Sequence, residues 1–256
     1  MKKLAMFLLI GVLSSTAVAA ENETNTEVSA TNQKSTETDT TAKSTESVET
    51  KQYEGLFVGL DVGSAINFFE DTITLNAQSE TASYQAGDLA LNVVAGWQKF
   101  LSPRIGWRTY LHLGYNDLSG KFDYQALGAT FQGEYKNFSA MKIGANFDFL
   151  ANIIATEKFD FGGFLGVRLG MISWDKLNAN QNDPFNPYKE TEEGFDAGLN
   201  VGLRINIVKK HAIELVVYVP FTEIEIAKDQ TIQGFNGTVT TKLSSGNGGI
   251  RYIYAF

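Results

Sequence analysis

The sequence predicts an all-β fold, a membrane-spanning antiparallel up-and-down β-barrel of about eight strands. Three observations carry this prediction. Several segments alternate apolar and polar residues with a period of two, and the connections between these segments alternate between long and short. No segment after Ala20 reaches the ~18 consecutive apolar residues that a transmembrane helix needs.

The clearest alternation lies in a predicted hairpin from Gly194 to Phe221. Its first strand carries an apolar residue at every second position, namely Phe195, Ala197, Leu199, Val201, Leu203, Ile205 and Ile207. The intervening glycines and charges would make a poor core for a soluble sandwich. The apolar face covers the ~9–11 residues of a tilted membrane strand. We therefore predict that the apolar face contacts lipid and the polar face lines a lumen.

The chain begins with a predicted signal peptide at residues 1–20. Lys2 and Lys3 precede an apolar stretch and a small-residue end, TAVAA, a pattern typical of secretion signals. Residues 21–52 are almost entirely Thr, Ser, Glu, Asn and Lys, and such a composition predicts a disordered tail. The barrel is then predicted over residues 53–256.

Composition excludes several classes of function. The formal net charge is −8, and removal of the signal peptide takes two lysines away. No basic stripe is left to meet phosphates, so nucleic acid is not expected as a partner. The chain has no cysteine, which excludes disulfides and thiolate metal sites. The two histidines are isolated in the sequence, and neither a metal site nor a cofactor is predicted.

The first half of the barrel is predicted to hold three strands. The first is Tyr53–Ala65, and a long polar loop at Ile66–Gln85 follows it. The second strand, Leu89–Leu101, is joined to the third, Ile105–Asn116, by a tight turn at Pro103, whose ring presets one backbone dihedral angle.

The second half begins after another predicted polar loop, Asp117–Glu134. The fourth strand is Phe138–Leu150, the fifth surrounds Leu165–Met171, and a third loop spans Asp175–Glu193. The hairpin described above comes next, and a polar segment from Lys228 leads to a closing strand that ends in NGGIRYIYAF. A further hairpin through FDYQALGATFQGEY would raise the count to ten.

Three of these segments resemble a known family. GLRINIVKKHAIELVVYVPF (Gly202–Phe221) is similar to the penultimate hairpin of the Helicobacter outer membrane protein family. FGGFLGVRLGMISW (Phe161–Trp174) and IGANFDFLANII (Ile143–Ile154) resemble its preceding strands. The resemblance implies an outer membrane barrel. Members of such families include adhesins and porins, so it does not imply one activity.

The end of the chain carries a second resemblance. Tyr252, Tyr254 and Phe256 share one face and end the chain on an aromatic residue. This resembles the C-terminal recognition signal of outer membrane barrels, although Arg251 stands where such signals often carry glycine. It implies the barrel assembly machinery as a partner.

The polar face of the predicted strands collects charges of both signs. The inward set is Asp61, Arg108, Lys142, Asp148, Arg168, Asp196, Arg204, Glu214 and Arg251. Arg204 and Glu214 flank the same short turn, and Arg251 belongs to the strand beside Glu214. Buried charges of opposite sign pair because isolated ones are costly. The interior of an eight-stranded barrel is only wide enough to be filled by its own side chains. We therefore predict a lumen plugged by an ion network.

Aromatic residues fall near both ends of the predicted strands. Such residues form girdles at the two membrane interfaces of a barrel. The predicted girdle residues are Trp97, Trp107, Tyr115, Phe147, Phe195, Phe221, Tyr252, Tyr254 and Phe256.

Three classes of function remain open at this point. The preferred prediction is a structural scaffold whose outer loops bind an extracellular or host ligand. The aromatic residues expected to contact that ligand are Phe68, Phe69, Tyr84, Phe185 and Tyr188. A small porin is the second. A barrel lipid-modifying enzyme or protease is the third, with His112, Asp117 and Ser119 as its candidates. We expect no enzymatic activity and membrane lipids as the surrounding partner.

Overall fold

The computed structural model describes residues 54–75, 77–87, 89–126, 129–176, 192–208, 210–231 and 237–256. The predicted signal peptide and tail lie outside the described residues. Every element in the described part of the chain is a β-strand. No helix there is long and apolar enough to cross a bilayer.

Ten strands follow one another along the chain. They are β1 (Gly55–Leu75), β2 (Gln78–Ala86), β3 (Leu89–Phe100), β4 (Ile105–Ala126), β5 (Ala129–Ala155), β6 (Phe159–Lys176), β7 (Glu192–Ile207), β8 (His211–Pro220), β9 (Ile224–Thr231) and β10 (Gly237–Ala255). All pairings are antiparallel, and β1 also pairs with β10, which closes the sheet.

The ten strands fill eight positions around the wall. β3 pairs with β1 over Gly55–Ser64, and β2 continues in the same direction along β1 over Asn67–Leu75. In the same way β8 and β9 pair with successive stretches of β10. β2–β3 and β8–β9 are therefore two interrupted wall strands, and the predicted antiparallel barrel with eight wall positions is confirmed.

Two predicted loops are strands. Most of Ile66–Gln85 forms the outer parts of β1 and β2, and Asp117–Glu134 forms the extended tips of β4 and β5, which pair with each other up to Ala126 and Ala129. The segment therefore lengthens two wall strands and adds no new ones. The loop prediction was wrong because strand pairing continues beyond the apolar band, where side chains no longer need to alternate. The third predicted loop, Asp175–Glu193, lies largely outside the described residues.

The two ends of the barrel differ in their connections. Three short turns, at residues 101–104, 156–158 and 208–210, lie at the end where β1 begins and β10 finishes. In the first turn, Ser102 Oγ accepts hydrogen bonds from the backbone N–H groups of Arg104 (3.3 Å) and Ile105 (3.1 Å). We call this the short-turn end, and the opposite end, with the β1–β2 and β4–β5 hairpins, the hairpin end.

The two faces of the wall differ in chemistry. Large apolar side chains are exposed on the outside of β1 and β3–β8, for example Leu60, Leu111, Ile143, Leu169 and Leu203. The inward residues at the alternate positions are mostly charged, polar, aromatic or small, and a few aliphatic residues such as Leu150, Val216 and Ile253 are buried among them. Because successive residues of a strand face opposite sides, each strand supplies both surfaces at once.

Candidate functional site in the barrel lumen

The charged residues predicted to face the lumen are all buried. Each of the nine side chains has a relative exposure of at most 3%. The alternation of each strand fixes the inward direction, and barrel closure removes these side chains from outside water.

Five of these residues form a continuous chain of ion pairs. Arg108 donates from Nε to Asp148 Oδ2 at 2.8 Å. It also donates to both carboxylate oxygens of Glu214, at 2.5 Å and 3.0 Å. Arg251 Nη2 lies 3.0 Å from Asp61 Oδ2, and its Nη1 lies 3.7 Å from Glu214 Oε2. Glu214 therefore joins two guanidinium groups, each of which also holds an aspartate.

The ion chain crosses the full width of the lumen. Arg108 lies on β4 and Glu214 on β8. The wall order is β1, β3, β4, β5, β6, β7, β8 and β10, so β4 and β8 are four steps apart in either direction. They stand on opposite sides of the barrel. The bidentate Arg108–Glu214 pair is therefore a bridge from wall to wall at this level of the lumen.

Aromatic side chains cover the ion chain. The Arg108 guanidinium lies 4.5 Å from the ring centroid of Phe164 and 5.3 Å from that of Tyr110. Tyr110 packs edge-on against Phe57, with ring centroids 6.0 Å apart. Buried apolar clusters containing Phe57, Phe100 and Phe164 surround this layer. The low dielectric around the ions strengthens their attraction, and the rings contribute cation–π contacts.

Three predicted charges lie apart from the ion chain and bind neutral partners. Lys142 Nζ donates to Ser245 Oγ at 2.9 Å and to its carbonyl oxygen at 3.1 Å. Arg168 Nε donates to Asn146 Oδ1 at 3.1 Å, and its guanidinium lies 3.9 Å from the centroid of the Tyr218 ring. Tyr218 in turn donates to Asp196 Oδ1 at 2.6 Å. The sequence analysis did not name the three neutral partners, Ser245, Asn146 and Tyr218, as site residues, although all occupy inward positions of the same alternation.

Arg204 does not form the ion pair that the sequence suggested. It stands directly across from Glu214 in the β7–β8 register. The Glu214 carboxylate is held by Arg108 and Arg251, and Arg204 Nη2 donates instead to Asn206 Oδ1 at 2.8 Å. The pairing was wrong because cross-strand neighbours do not always aim their side chains at each other, and the Arg108 side chain reaches Glu214 across the lumen.

A second closure lies at the hairpin end. Phe69, Ala140, Ile172, Trp174 and Leu243 form a buried cluster, against which Tyr84 and Ile224 pack. Phe69 on β1 and Trp174 on β6 belong to opposite walls, so this cluster also crosses the lumen.

The cluster corrects the prediction of exposed loop aromatics. Phe69 is 1% exposed and stacks on Tyr84 with centroids 5.0 Å apart. Phe68 is half-buried on the outer wall beside Val217 and Val219. Phe185 and Tyr188 lie outside the described residues.

The predicted girdle residues lie on the outer face. Trp97 packs edge-on against Trp107 at 5.0 Å, and Trp107 stacks with Phe147 at 5.8 Å, near the short-turn end. Tyr252, Tyr254 and Phe256 lie at the same end, where Tyr254 contacts both Phe256 and His211. Tyr115, Phe195 and Phe221 are exposed farther toward the hairpin end.

The enzyme candidates do not come together. His112 is buried in the lumen, and its Nδ1 atom lies 3.4 Å from Asn146 Nδ2. Asp117 is five positions away on the same strand and therefore faces the other side of the wall. The side chain of Ser119 lies outside the described part. Across the described residues, no group of histidine and acidic side chains is suited to hold a metal ion.

A closed barrel with an apolar outer band and a polar, filled interior is an outer membrane β-barrel, because the strands that form the apolar band pair with a neighbour on both sides and so satisfy their backbone polar groups. A family model described as "Helicobacter outer membrane protein" matches residues 92–243. The chain belongs to that family and is located in the outer membrane. In such barrels the short turns face the periplasm, so the short-turn end is periplasmic and the hairpin end faces outward.

Solved outer membrane proteins are similar to this chain at low sequence identity. The outer membrane protein OprG from Pseudomonas aeruginosa is 12% identical, with a TM-score of 0.51, over 81% of this chain and 99% of OprG. Neisserial surface protein A is 11% identical, with a TM-score of 0.36, over 80% and 100% of the two chains. The protease OmpT from Escherichia coli is 9% identical, with a TM-score of 0.38, over 79% and 97%. No curated protein sequence matches.

Proposed function

We propose that this protein is a closed, non-enzymatic scaffold of the outer membrane whose outward hairpins bind an extracellular or host ligand. The observation that carries the proposal is the Arg108–Glu214 pair, which joins opposite walls of the lumen. A protein of this kind acts as an interaction or adhesion protein and not as a small porin.

The ion bridge opposes permeation for an energetic reason. A solute that entered would have to separate Glu214 from both guanidinium groups. Breaking a buried pair and leaving one partner uncompensated costs about 3–5 kcal/mol. The Phe69–Trp174 cluster would also have to open. These two layers support a lumen that stays closed.

The hairpin end offers the surface for recognition. β1–β2 and β4–β5 extend past the exposed apolar band as paired strands. A small cleft of about 90 Å³ lies on this part of the wall. It is lined by Phe68, Phe69, Glu70, Ser83, Tyr84, Gln85, Glu223, Lys242 and Ser244. Rigid scaffolds that carry variable outer segments are a common platform for binding.

The remaining partners follow from the same placement. Membrane lipids surround the apolar band, and the aromatic C-terminal strand is proposed as the contact for the barrel assembly machinery. Nucleic acid is not a proposed partner.

Two measurements test the proposal together. Purified protein in planar bilayers should give no steady conductance. Cells that display the protein should adhere to cultured epithelial monolayers more than cells that display a variant in which residues 121–134 are replaced by a short Gly-Ser turn. A matched control replaces the periplasmic turn at residues 156–158 by the same linker. Reproducible ion-selective channels, with adhesion equal for all three proteins, would instead establish the small porin.

A further inference from the structure

The β3–β4 hairpin carries a group of aromatic and basic side chains on the outer wall at the short-turn end. Trp97 and Lys99 both face outward on β3, and Trp107 lies directly across from Lys99 in the β3–β4 register. Lys99 is exposed, whereas Trp97 and Trp107 are half-buried and pack on each other. Because tryptophan rings are favoured at the membrane interface, the ammonium group of Lys99 lies at the level of the lipid headgroups. We call Trp97, Lys99, Arg104 and Trp107 the rim patch.

The turn that carries Arg104 is bound to the neighbouring strand β5. The backbone N–H of Asn152 donates to the Arg104 carbonyl oxygen at 2.7 Å, and Asn152 Nδ2 donates to the Pro103 carbonyl oxygen at 3.0 Å. Leu101 and Ile105 stand on either side of the turn and are 71% and 43% exposed. Apolar side chains therefore reach as far as the turn itself. The exposed Arg104 side chain consequently lies close to the membrane surface, where its stem can contact lipid while its charged end stays among the headgroups.

The charges around the rim patch favour an anion. The basic side chains exposed at the short-turn end are Lys99, Arg104, Lys158 and Lys210, and the acidic ones are Glu54 and Glu157. At the hairpin end the balance is reversed, since Lys242 is accompanied there by Glu70, Glu80, Asp117, Glu193, Glu223 and Glu225 among the described side chains. Glu54 precedes the Gly55–Gln98 pair, so it lies near Lys99 along the wall. Within the described part of the chain, however, neither Lys99 nor Arg104 forms an ion pair.

We propose that the rim patch binds an anionic phospholipid of the periplasmic leaflet. Lys99 and Arg104 contact its phosphate-containing headgroup, and Trp97 and Trp107 pack against the upper part of its acyl chains. Basic side chains beside a membrane-spanning segment attract anionic lipids, and each one strengthens binding by about fivefold. A periplasmic protein fits this surface less well, because Lys99 points sideways from the lipid-facing wall and not down into the periplasm.

The experiment measures quenching of tryptophan fluorescence by lipids with brominated acyl chains. The purified full-length protein is placed in phosphatidylcholine vesicles that contain increasing fractions of brominated phosphatidylglycerol or, in a second series, brominated phosphatidylcholine. Trp97 and Trp107 report on the rim patch, because the third tryptophan, Trp174, is buried in the lumen. We expect the relative association constant to favour phosphatidylglycerol by about fivefold or more at low salt, and the preference to fall as salt is added. Equal quenching by the two lipids at low salt would overturn the proposal.

Three substitutions assign the preference to the rim patch. Lys99→Gln and Arg104→Gln each remove one exposed cation, so both variants should fold normally and show a smaller preference for phosphatidylglycerol. The double variant should bind the two lipids equally. Lys242→Gln is the matched control, because it removes a cation at the hairpin end and should keep the preference of the wild type. A double variant with an undiminished preference, or an equal loss in Lys242→Gln and Lys99→Gln, would show that the rim patch does not select the lipid.

Discussion

Glu214 is the residue on which the ion chain depends. It is fully buried and joins Arg108 to Arg251. Replacing it with glutamine keeps the shape but removes the negative charge, so two guanidinium groups lose their shared partner. We expect Glu214→Gln to lower the free energy of unfolding by about 3–5 kcal/mol. The measurement is urea unfolding of the barrel in detergent micelles.

Two comparisons make that result specific. Glu157→Gln changes an exposed carboxylate in a periplasmic turn and should leave the free energy of unfolding unchanged. The double variant Arg108→Gln with Glu214→Gln should cost less than the sum of the two single changes, because neither charge is then left alone. Additive losses would mean that Arg108 and Glu214 do not stabilise each other.

Residue patterns predicted the inward direction of each charge but not its partner. Alternation along a strand states which face a side chain occupies, and Arg108, Glu214 and Arg251 were assigned by that rule. It does not state which wall of the barrel lies opposite. The Arg108–Glu214 contact joins positions 106 residues apart on strands that do not pair, so it depends on the number of wall strands and the shear of the closed sheet.

At the scale of single elements, the outer half of β1 should resist proteases. Asn67–Leu75 pairs with β10 on one side and with β2 on the other. A protease must bind its substrate as a free extended strand, and this backbone has no free edge. We expect that protease treatment of intact cells followed by peptide mapping finds no early cut within Asn67–Leu75. Early cuts there would show that β2 separates readily from β1.

The outer faces of the wall strands give a second prediction. Leu169 on β6 is 57% exposed within the apolar band. Arginine near the bilayer midplane costs about 2–4 kcal/mol. Leu169→Arg should therefore reduce the yield of folded, heat-modifiable protein. Ser83→Arg on β2 is the control, because its strand lies beyond the apolar band and its side chain is exposed. Equal yields for both variants would contradict the assigned membrane position.

Elements were predicted well where they cross the membrane and poorly beyond it. Lipid on one side and a packed lumen on the other force the alternation that identifies β3 or β7. Past the membrane the outer surface meets water, and outward positions such as Ser79, Thr81 and Ser83 become polar. Strand pairing continues there without its hydrophobic signature, and the sequence then resembles a loop.

For the whole molecule, the closed sheet implies that the barrel does not need the segment before it. Every wall position is supplied by residues from Gly55 to Ala255. We expect a variant that lacks residues 21–52, and keeps residues 1–20 for export, to reach the outer membrane with an unchanged midpoint of unfolding. Heat-modifiability on gels and thermal unfolding provide the measurement. A lower midpoint would show that residues 21–52 contact the barrel.

The bridge between β4 and β8 has a consequence for the order of events during biogenesis. Arg108 and Glu214 lie on strands that do not hydrogen-bond to each other, so the pairing of neighbouring strands does not by itself bring them together. Until β10 pairs with β1, the side chains of Arg108 and Glu214 lie on the surface of an open sheet and remain hydrated. The inner surface of the nascent barrel is therefore in contact with water while its outer surface is already in contact with lipid. We therefore expect the interior to lose its water last, when the arginine–glutamate bridge forms.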